Sequence, residues 1–331
     1  MRDLIRIPNG DRVIWDQDRA VADLVTAMLD GSPFEISMNG EGPCAESLGI
    51  YSLLDFLCTR YQFSPNKITI HTCNLIETHA NYNIKKHAPM KGVAELQKKY
   101  SEHIFDKVIT SDIKYFLNFV SRGNRMRLVI ASELYFNHGD KTLQSYHTDV
   151  KNGYFSQHIG LEDVMFHNYE PDVIDLCYQF LKKTPMTIDT IQSYPILHGD
   201  KVYDILTQYQ KIVVDIVNLP YFSGNTFYLD EKIWRPILTK TPFIVQGPQN
   251  FIKNLKKLGF QTFDRWWDEG YSEDPPDFQV KLIIDNIKTI AGWSTERMAA
   301  VYEEMKPTLD HNHRVLMSLT RADFKRIFNH A

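Results

Sequence analysis

The chain has 331 residues, 43% of them hydrophobic, which is enough to bury one large core or two medium ones. A formal net charge of −4 excludes a protein held to nucleic acid by bulk charge. Lys85, Lys86, Lys91, Lys98 and Lys99 still leave room for a local basic cleft, beside the plainer reading of a solvated helix face. The four cysteines, Cys44, Cys58, Cys73 and Cys177, have neither metal-ligand spacing nor the density of a secreted scaffold, so a reducing, cytoplasmic setting is expected. Met1-Arg2-Asp3-Leu4-Ile5 opens no signal-peptide apolar region, and no apolar run reaches the length of a bilayer span. A soluble chain with no integral membrane segment is expected.

In chain order, residues 34–38 read as a short strand and Asn39-Gly40-Glu41-Gly42-Pro43 as the turn after it. Leu48, Ile50, Leu53, Leu54 and Phe56 recur at near-helical spacing and predict a helix ending around Arg60. Residues 67–71 form the next strand, followed by Asn74 and Glu77, and 93–100 read as a solvent-facing helix. A second unit begins with a strand at 115–120, a turn at Ser121-Arg122-Gly123-Asn124, and a helix at 125–136 whose basic residues lie at its start. A strand at 142–147 follows, and 152–198 is irregular.

The run Ile212-Val213-Val214-Asp215-Ile216-Val217 suits a buried strand. A polar loop containing Ser223-Gly224-Asn225-Thr226 leads to Asp230-Glu231-Lys232 at the head of an amphipathic segment, in which Pro236 should kink or end the helix early. Pro242-Phe243-Ile244-Val245 is a further buried run closed by Gly247. A helix at 251–258, a short strand at 260–263 and a long helical tail complete the chain. Alternating strands and helices predict an α/β fold with parallel sheets. The pattern puts a domain boundary between Tyr100 and Ser111, giving units 1–107 and 108–331.

Glu231 and Lys232 have a physical use at a strand's carboxyl end, where parallel sheets bind ligands. A carboxylate accepts two hydroxyl hydrogen bonds, which suits a ribose diol, and the ammonium and helix N-terminus favour phosphate. The plain alternative is that the acidic residues complement the helix dipole and Lys232 is solvated.

Two segments together resemble the α1,3-fucosyltransferases. Phe119-Val120-Ser121, then Arg125-Met126-Arg127-Leu128 and Ala131-Ser132-Glu133-Leu134, is similar to the strand, loop and arginine-headed helix that open that family's donor domain. Asn218, Tyr228, Glu231, Lys232, Pro242 and Gly247 match its signature of a strand ending in Phe-Glu-Asn, a loop, Tyr-Val-Thr-Glu-Lys and a helix. The stretch from Gly259 through Trp266-Trp267-Asp268-Glu269 looks more like glycosyltransferase-like chains of bacteria and phages. The chain departs at Val217, which replaces the signature's glutamate, and at Leu229-Asp230, which replaces Val-Thr. These departures bear on the identity of the donor.

The resemblance implies a GT-B fold, in which two Rossmann-like domains face each other across a cleft: 1–107 on the acceptor side and 108–331, with its helical tail, on the nucleotide-sugar side. It implies an inverting, metal-independent glycosyltransferase with no cofactor beyond a GDP- or UDP-linked sugar. Glu231 would hold the ribose and Lys232 the diphosphate, with Arg127 or Arg125 as second phosphate partner and Asn218 and Tyr228 completing the donor site. The acceptor would be a glycan or lipid-linked sugar, in a bacterial cytoplasm or a viral host's.

An inverting transfer needs a base on the acceptor side. Glu41, on the turn after the first strand, is the first candidate; Glu77 and His79 follow, and Glu46 is weaker because it suits a first helical turn. The rival functions are a phage-type DNA glycosyltransferase acting on a hydroxymethylated base, a non-catalytic nucleotide-binding module, and a metal-dependent nuclease built on His311-Asn312-His313. Trp266, Trp267 and Tyr271 read as packing anchors, with stacking on a sugar or base as the alternative.

Overall fold

The computed structural model describes residues 2–3, 8–9, 12–13, 17–38, 42–88, 90–102, 105–120, 123–146, 161, 164–165, 167, 169–186, 188, 206–219, 221 and 224–328. The first half contains β1 (Arg2–Asp3), the antiparallel pair β2 (Pro8–Asn9) and β3 (Arg12–Val13), and α1 (Gln17–Asp30). It continues through β4 (Phe34–Met38), α2 (Ile50–Tyr61), β5 (Ile68–Thr72), β6 (Asn83–Lys86) and α3 (Met90–Tyr100). The second half runs β7 (Lys114–Val120), α4 (Arg125–His138), β8 (Thr142–Tyr146), α5 (Pro171–Leu181), β9 (Ile212–Asn218), α6 (Glu231–Leu238) and β10 (Phe243–Gln246). Four helices follow: α7 (Phe251–Lys257), α8 (Pro276–Ala291), α9 (Thr295–Ser318) and α10 (Arg321–Phe328).

The protein is α/β, with two four-stranded sheets whose pairings are all parallel. One has the order β1-β4-β5-β6 and the other β10-β9-β7-β8. All seven residues of β9 are buried, as expected of a β-branched strand covered on both faces, and its two polar members, Asp215 and Asn218, are hydrogen-bonded inside. Ile36, Met38, Ile68 and Ile70 of the first sheet pack with Leu24 and Met28 of α1 and Leu54 and Leu57 of α2 in a small core. A larger core surrounds the second sheet and extends through α8, α9 and α10. At the amino edge of that sheet the buried Lys107 donates from Nζ to Tyr209 O (2.8 Å), Ile212 O (3.0 Å) and Thr241 Oγ1 (2.8 Å). Nearby, the Tyr209 hydroxyl donates to the buried Asp215 Oδ2 at 2.7 Å.

Several sequence expectations change. α3 is solvated on one face only: Glu95, Lys98 and Lys99 are exposed, but Val93, Leu96 and Tyr100 are buried in the larger core, and Gln97 Nε2 donates to Leu316 O and Leu319 O, both at 2.9 Å. Residues 260–263 form no strand. Gln261 N donates to Asn312 Oδ1 and Asn312 Nδ2 to Gln261 O, each at 2.8 Å, so a helix side chain takes the place of a neighbouring strand. α5 lies within the stretch read as irregular, and Phe56 faces solvent at 65% exposure instead of joining the core. α6 ends at Leu238, two residues after Pro236, and is closed by Lys240 at φ +50° with Thr241 N donating back to Pro236 O at 2.8 Å.

Candidate functional site

The second sheet reverses direction between β7 and β9. From β7 the chain crosses through α4 to β8 on one side, then returns to place β9 on the other. Such a switch point opens a crevice outside the carboxyl ends of the two strands. Arg125 and Arg127 lie in the first turn of α4, after β7, and Glu231 and Lys232 open α6, after β9.

Asn124 starts α4 as an N-cap, its side chain accepting from Arg127 N at 2.9 Å. Arg127 is buried, and its Nη2 donates to Asn218 O (3.1 Å) and Leu219 O (2.6 Å), which directs it to the carboxyl end of β9. Arg125 turns toward α8 instead, where its Nε pairs with Asp277 Oδ1 at 3.0 Å and the Tyr169 hydroxyl donates to the same oxygen at 3.0 Å. Of the two arginines, Arg127 stands at the switch point.

Asp230 caps α6 by accepting from Lys232 N at 3.0 Å. Lys232 Nζ donates to Asp230 Oδ2 (2.6 Å) and Glu231 Oε1 (3.2 Å), and Arg235 Nη2 lies 3.9 Å from Glu231 Oε1. Burial raises the Asp230 carboxyl above its ordinary range, against the pull of Lys232. Burial works the same way on Glu231, but Lys232 and Arg235 outweigh it and hold that carboxyl below its ordinary range. The cluster is therefore two carboxylates against two cations, and an arriving anion must compete with Asp230 for Lys232. Tyr228 belongs to the same group, its hydroxyl donating to Asp230 Oδ2 at 3.3 Å and its ring meeting Tyr221 edge-on at 6.1 Å between centroids.

The side chain of Asn218 points elsewhere. Its Nδ2 donates to Asn118 Oδ1 (2.6 Å), Asn118 Nδ2 to Gln144 Oε1 (3.1 Å), and Gln144 Nε2 to Ala131 O (3.3 Å). This buried row of amides crosses three strands beneath α4, and at the carboxyl end of β9 it leaves Asn218 its carbonyl, held by Arg127.

On the acceptor side Glu41 lies outside the described residues. Glu77 is buried, accepting from the Tyr51 hydroxyl (2.8 Å), Asn74 Nδ2 (2.8 Å) and Ala45 N (3.3 Å), and burial raises its carboxyl. Both oxygens bind the protein itself, so Glu77 braces Tyr51 of α2 and Ala45 against the loop after β5. His79 accepts from Asn81 N at Nδ1 (3.1 Å) and lies against the Tyr51 ring, while Glu46 is exposed.

The other candidates serve packing. His311 Nε2 lies 2.8 Å from Gly259 O and Asn312 clamps Gln261, so this pair braces the segment after α7. Trp267 and Tyr271 are buried, and Val245 N donates to the Tyr271 hydroxyl at 3.0 Å. Lys85 pairs with Glu35 at 3.2 Å and Lys86 Nζ donates to Phe328 O at 3.0 Å, so two lysines of the candidate basic patch are engaged within the chain. Among the described residues no group of three or more His, Cys, Asp or Glu could hold a metal ion, and no helix is long and apolar enough to cross a membrane. The four cysteines are free thiols.

No protein-family model and no curated protein matches the chain. Among solved structures it is similar to the Candida albicans trehalose-6-phosphate phosphatase N-terminal domain, at 10% identity and a TM-score of 0.37, over 92% of this chain and 67% of that one. A likeness that slight supports no statement about activity.

Proposed function

We propose that the protein is a glycosyltransferase of GT-B type that binds a GDP- or UDP-linked sugar in the crevice between β7 and β9. It passes the sugar, with inversion and without a metal, to a hydroxyl of a glycan or lipid-linked acceptor. One observation carries this reading: Arg127, in the first turn of α4, and Lys232, in the first turn of α6, follow the two strands that flank a switch point, with Glu231 beside Lys232. A departing nucleoside diphosphate gains negative charge as the glycosidic bond breaks. Fixed cations and a helix N-terminus stabilise that charge. Lys232 would exchange Asp230 for a phosphate oxygen, and Glu231 would accept the ribose hydroxyls. Glu41 is assigned as the acceptor-side base from the sequence alone, on the turn after the first predicted strand.

Titration calorimetry with GDP and UDP tests the donor site. Lys232→Ala is expected to abolish binding, and Glu41→Ala to leave it intact while removing transfer of labelled sugar. Unchanged affinity in the Lys232 variant would sink the assignment. The internal engagement of Glu77 favours a second reading, a nucleotide-binding module without catalysis. It predicts donor binding with no slow donor hydrolysis.

A further inference from the structure

The loop leading to Glu231 and Lys232 is not held by its own sheet alone. Residues 224–227 lie on the first half of the molecule, and Asn74, with 0% exposure, is at the centre of the contact. Its Nδ2 donates to Asn225 O (3.0 Å) and Glu77 Oε2 (2.8 Å), while its Oδ1 accepts from Phe227 N (2.9 Å) and Ile76 N (3.2 Å). Beside it Leu75 N donates to Phe227 O at 2.8 Å, so the backbone of residue 227 is gripped on both its polar groups. The Thr226 hydroxyl donates to Gly42 O.

The approach is too close for side chains at two glycines. A Cβ on Gly42 would stand 2.7 Å from Asn74 N, and one on Gly224 would stand 2.7 Å from Cys44 Cβ. Their φ values, +69° and +77°, also favour glycine. The first half in turn fixes Asn74: its N–H donates to Thr72 Oγ1 at 3.0 Å, and Glu77 ties it to Tyr51 and Ala45.

We propose that Asn74 is a positioning residue that sets Glu231 and Lys232 from the opposite half of the molecule, so that a shift in the first sheet's carboxyl-edge loops changes the hold on a nucleoside diphosphate. Only Tyr228, Leu229 and Asp230 separate Phe227 from Glu231, and the first two are buried, leaving little slack to absorb a displacement. The ligand half of this proposal rests on the phosphate-site reading above; the mechanical half does not.

Hydrogen exchange followed by mass spectrometry on the full chain tests it, with GDP and UDP calorimetry alongside. Asn74→Asp keeps the acceptor for Phe227 N but removes the donors to Asn225 and Glu77 and sets two carboxyl groups together. Exchange across 225–234 should rise about tenfold, with β8 unchanged, and nucleotide affinity should fall about tenfold. Adding Glu77→Gln removes the second carboxyl group and should recover part of both effects, leaving the lost donor to Asn225 O uncorrected. The milder Thr226→Val should act in the same direction by about threefold, and serves if the aspartate variant does not fold. Exchange that stays unchanged at 225–234, or rises equally throughout, overturns the clasp. Lower affinity without a local rise in exchange does the same. If the unsubstituted protein binds neither nucleotide, the exchange result still decides the clasp, and it is the phosphate-site reading that fails.

Discussion

The two sheets have four strands each and the same parallel pairing, yet their carboxyl edges differ. In the second, the chain reverses between β7 and β9, and each of these strands is followed by a helix with charged residues at its start: Arg127 in α4, and Asp230, Glu231 and Lys232 at the head of α6. In the first, the described strands β1, β4, β5 and β6 follow in sequence with no reversal, and the edge after β5 is closed by Asn74 and Glu77 bonding to their own surroundings. Strand order, not strand number, decides which edge can open toward a ligand. The closed edge has its own use, as the surface on which the open edge's loop is seated.

The comparison can be broken most directly at the seam. Gly42→Ala forces a Cβ against the Asn74 backbone at positive φ and should cost about 3 kcal/mol in urea denaturation. A loss below about 1 kcal/mol would mean that the halves touch without bracing each other.

The second sheet alone, among the described residues, carries a buried lysine near a buried aspartate, and pH should separate the halves accordingly. Burial pushes the Asp215 carboxyl up to about 7 and the Lys107 ammonium down to about 7. Between about pH 4 and 7 the folded chain keeps an Asp215 proton that the unfolded chain has lost, so this group's contribution to stability falls as pH rises. Between about pH 7 and 10 the folded chain lacks a Lys107 proton that the unfolded chain holds, so that contribution rises with pH. Lys107→Met should remove a slope of up to about 1.4 kcal/mol per pH unit above neutrality, read from urea midpoints across pH. An unchanged slope would refute it.

A smaller effect sharpens the account of the open edge. Asp230→Ser keeps an N-cap and removes the anion that competes for Lys232, so nucleotide affinity should rise about threefold to tenfold by calorimetry while stability changes by less than about 1 kcal/mol. A fall in affinity would show that Asp230 belongs to the binding set. Smallest of all, Lys85→Ala breaks an exposed pair with Glu35 on the first sheet and should move the urea midpoint by less than the equivalent of about 0.5 kcal/mol.

The strands β4, β5, β7, β8, β9 and β10 were legible because their signal is local, whereas the short β1, β2 and β3 and the polar β6 have no apolar run to mark them. The β-branched run of β9 and the polar-to-apolar changes around β4, β5 and β10 state their own burial. The basic start of α4 and the acidic start of α6 could also be read from adjacent residues. What escaped depends on distant partners. Val93, Leu96 and Tyr100 look like the sparse apolar positions of a surface helix until α9 covers them. Phe260 and Phe263 alternate like a strand, but their neighbour is an asparagine on a helix, not another strand. Asn74 has no sequence mark at all: a single polar residue after β5, whose partners at 225 and 227 lie about 150 positions away. Glu77 was noticed for its position, and only its three donors show that it braces.

Lys86 is bonded to the last carbonyl of α10, and the Phe328 ring lies 5.4 Å from that of Phe227. α10 therefore touches both the first sheet and the seated loop, although it is made long after either. At ordinary rates of synthesis, roughly 5 to 20 s separate residue 227 from residue 328. Through that interval both sheets can form while the junction between them still lacks α10. The halves can fold and meet through Asn74 in the order in which they are made, and α10 adds its contacts to a junction already formed.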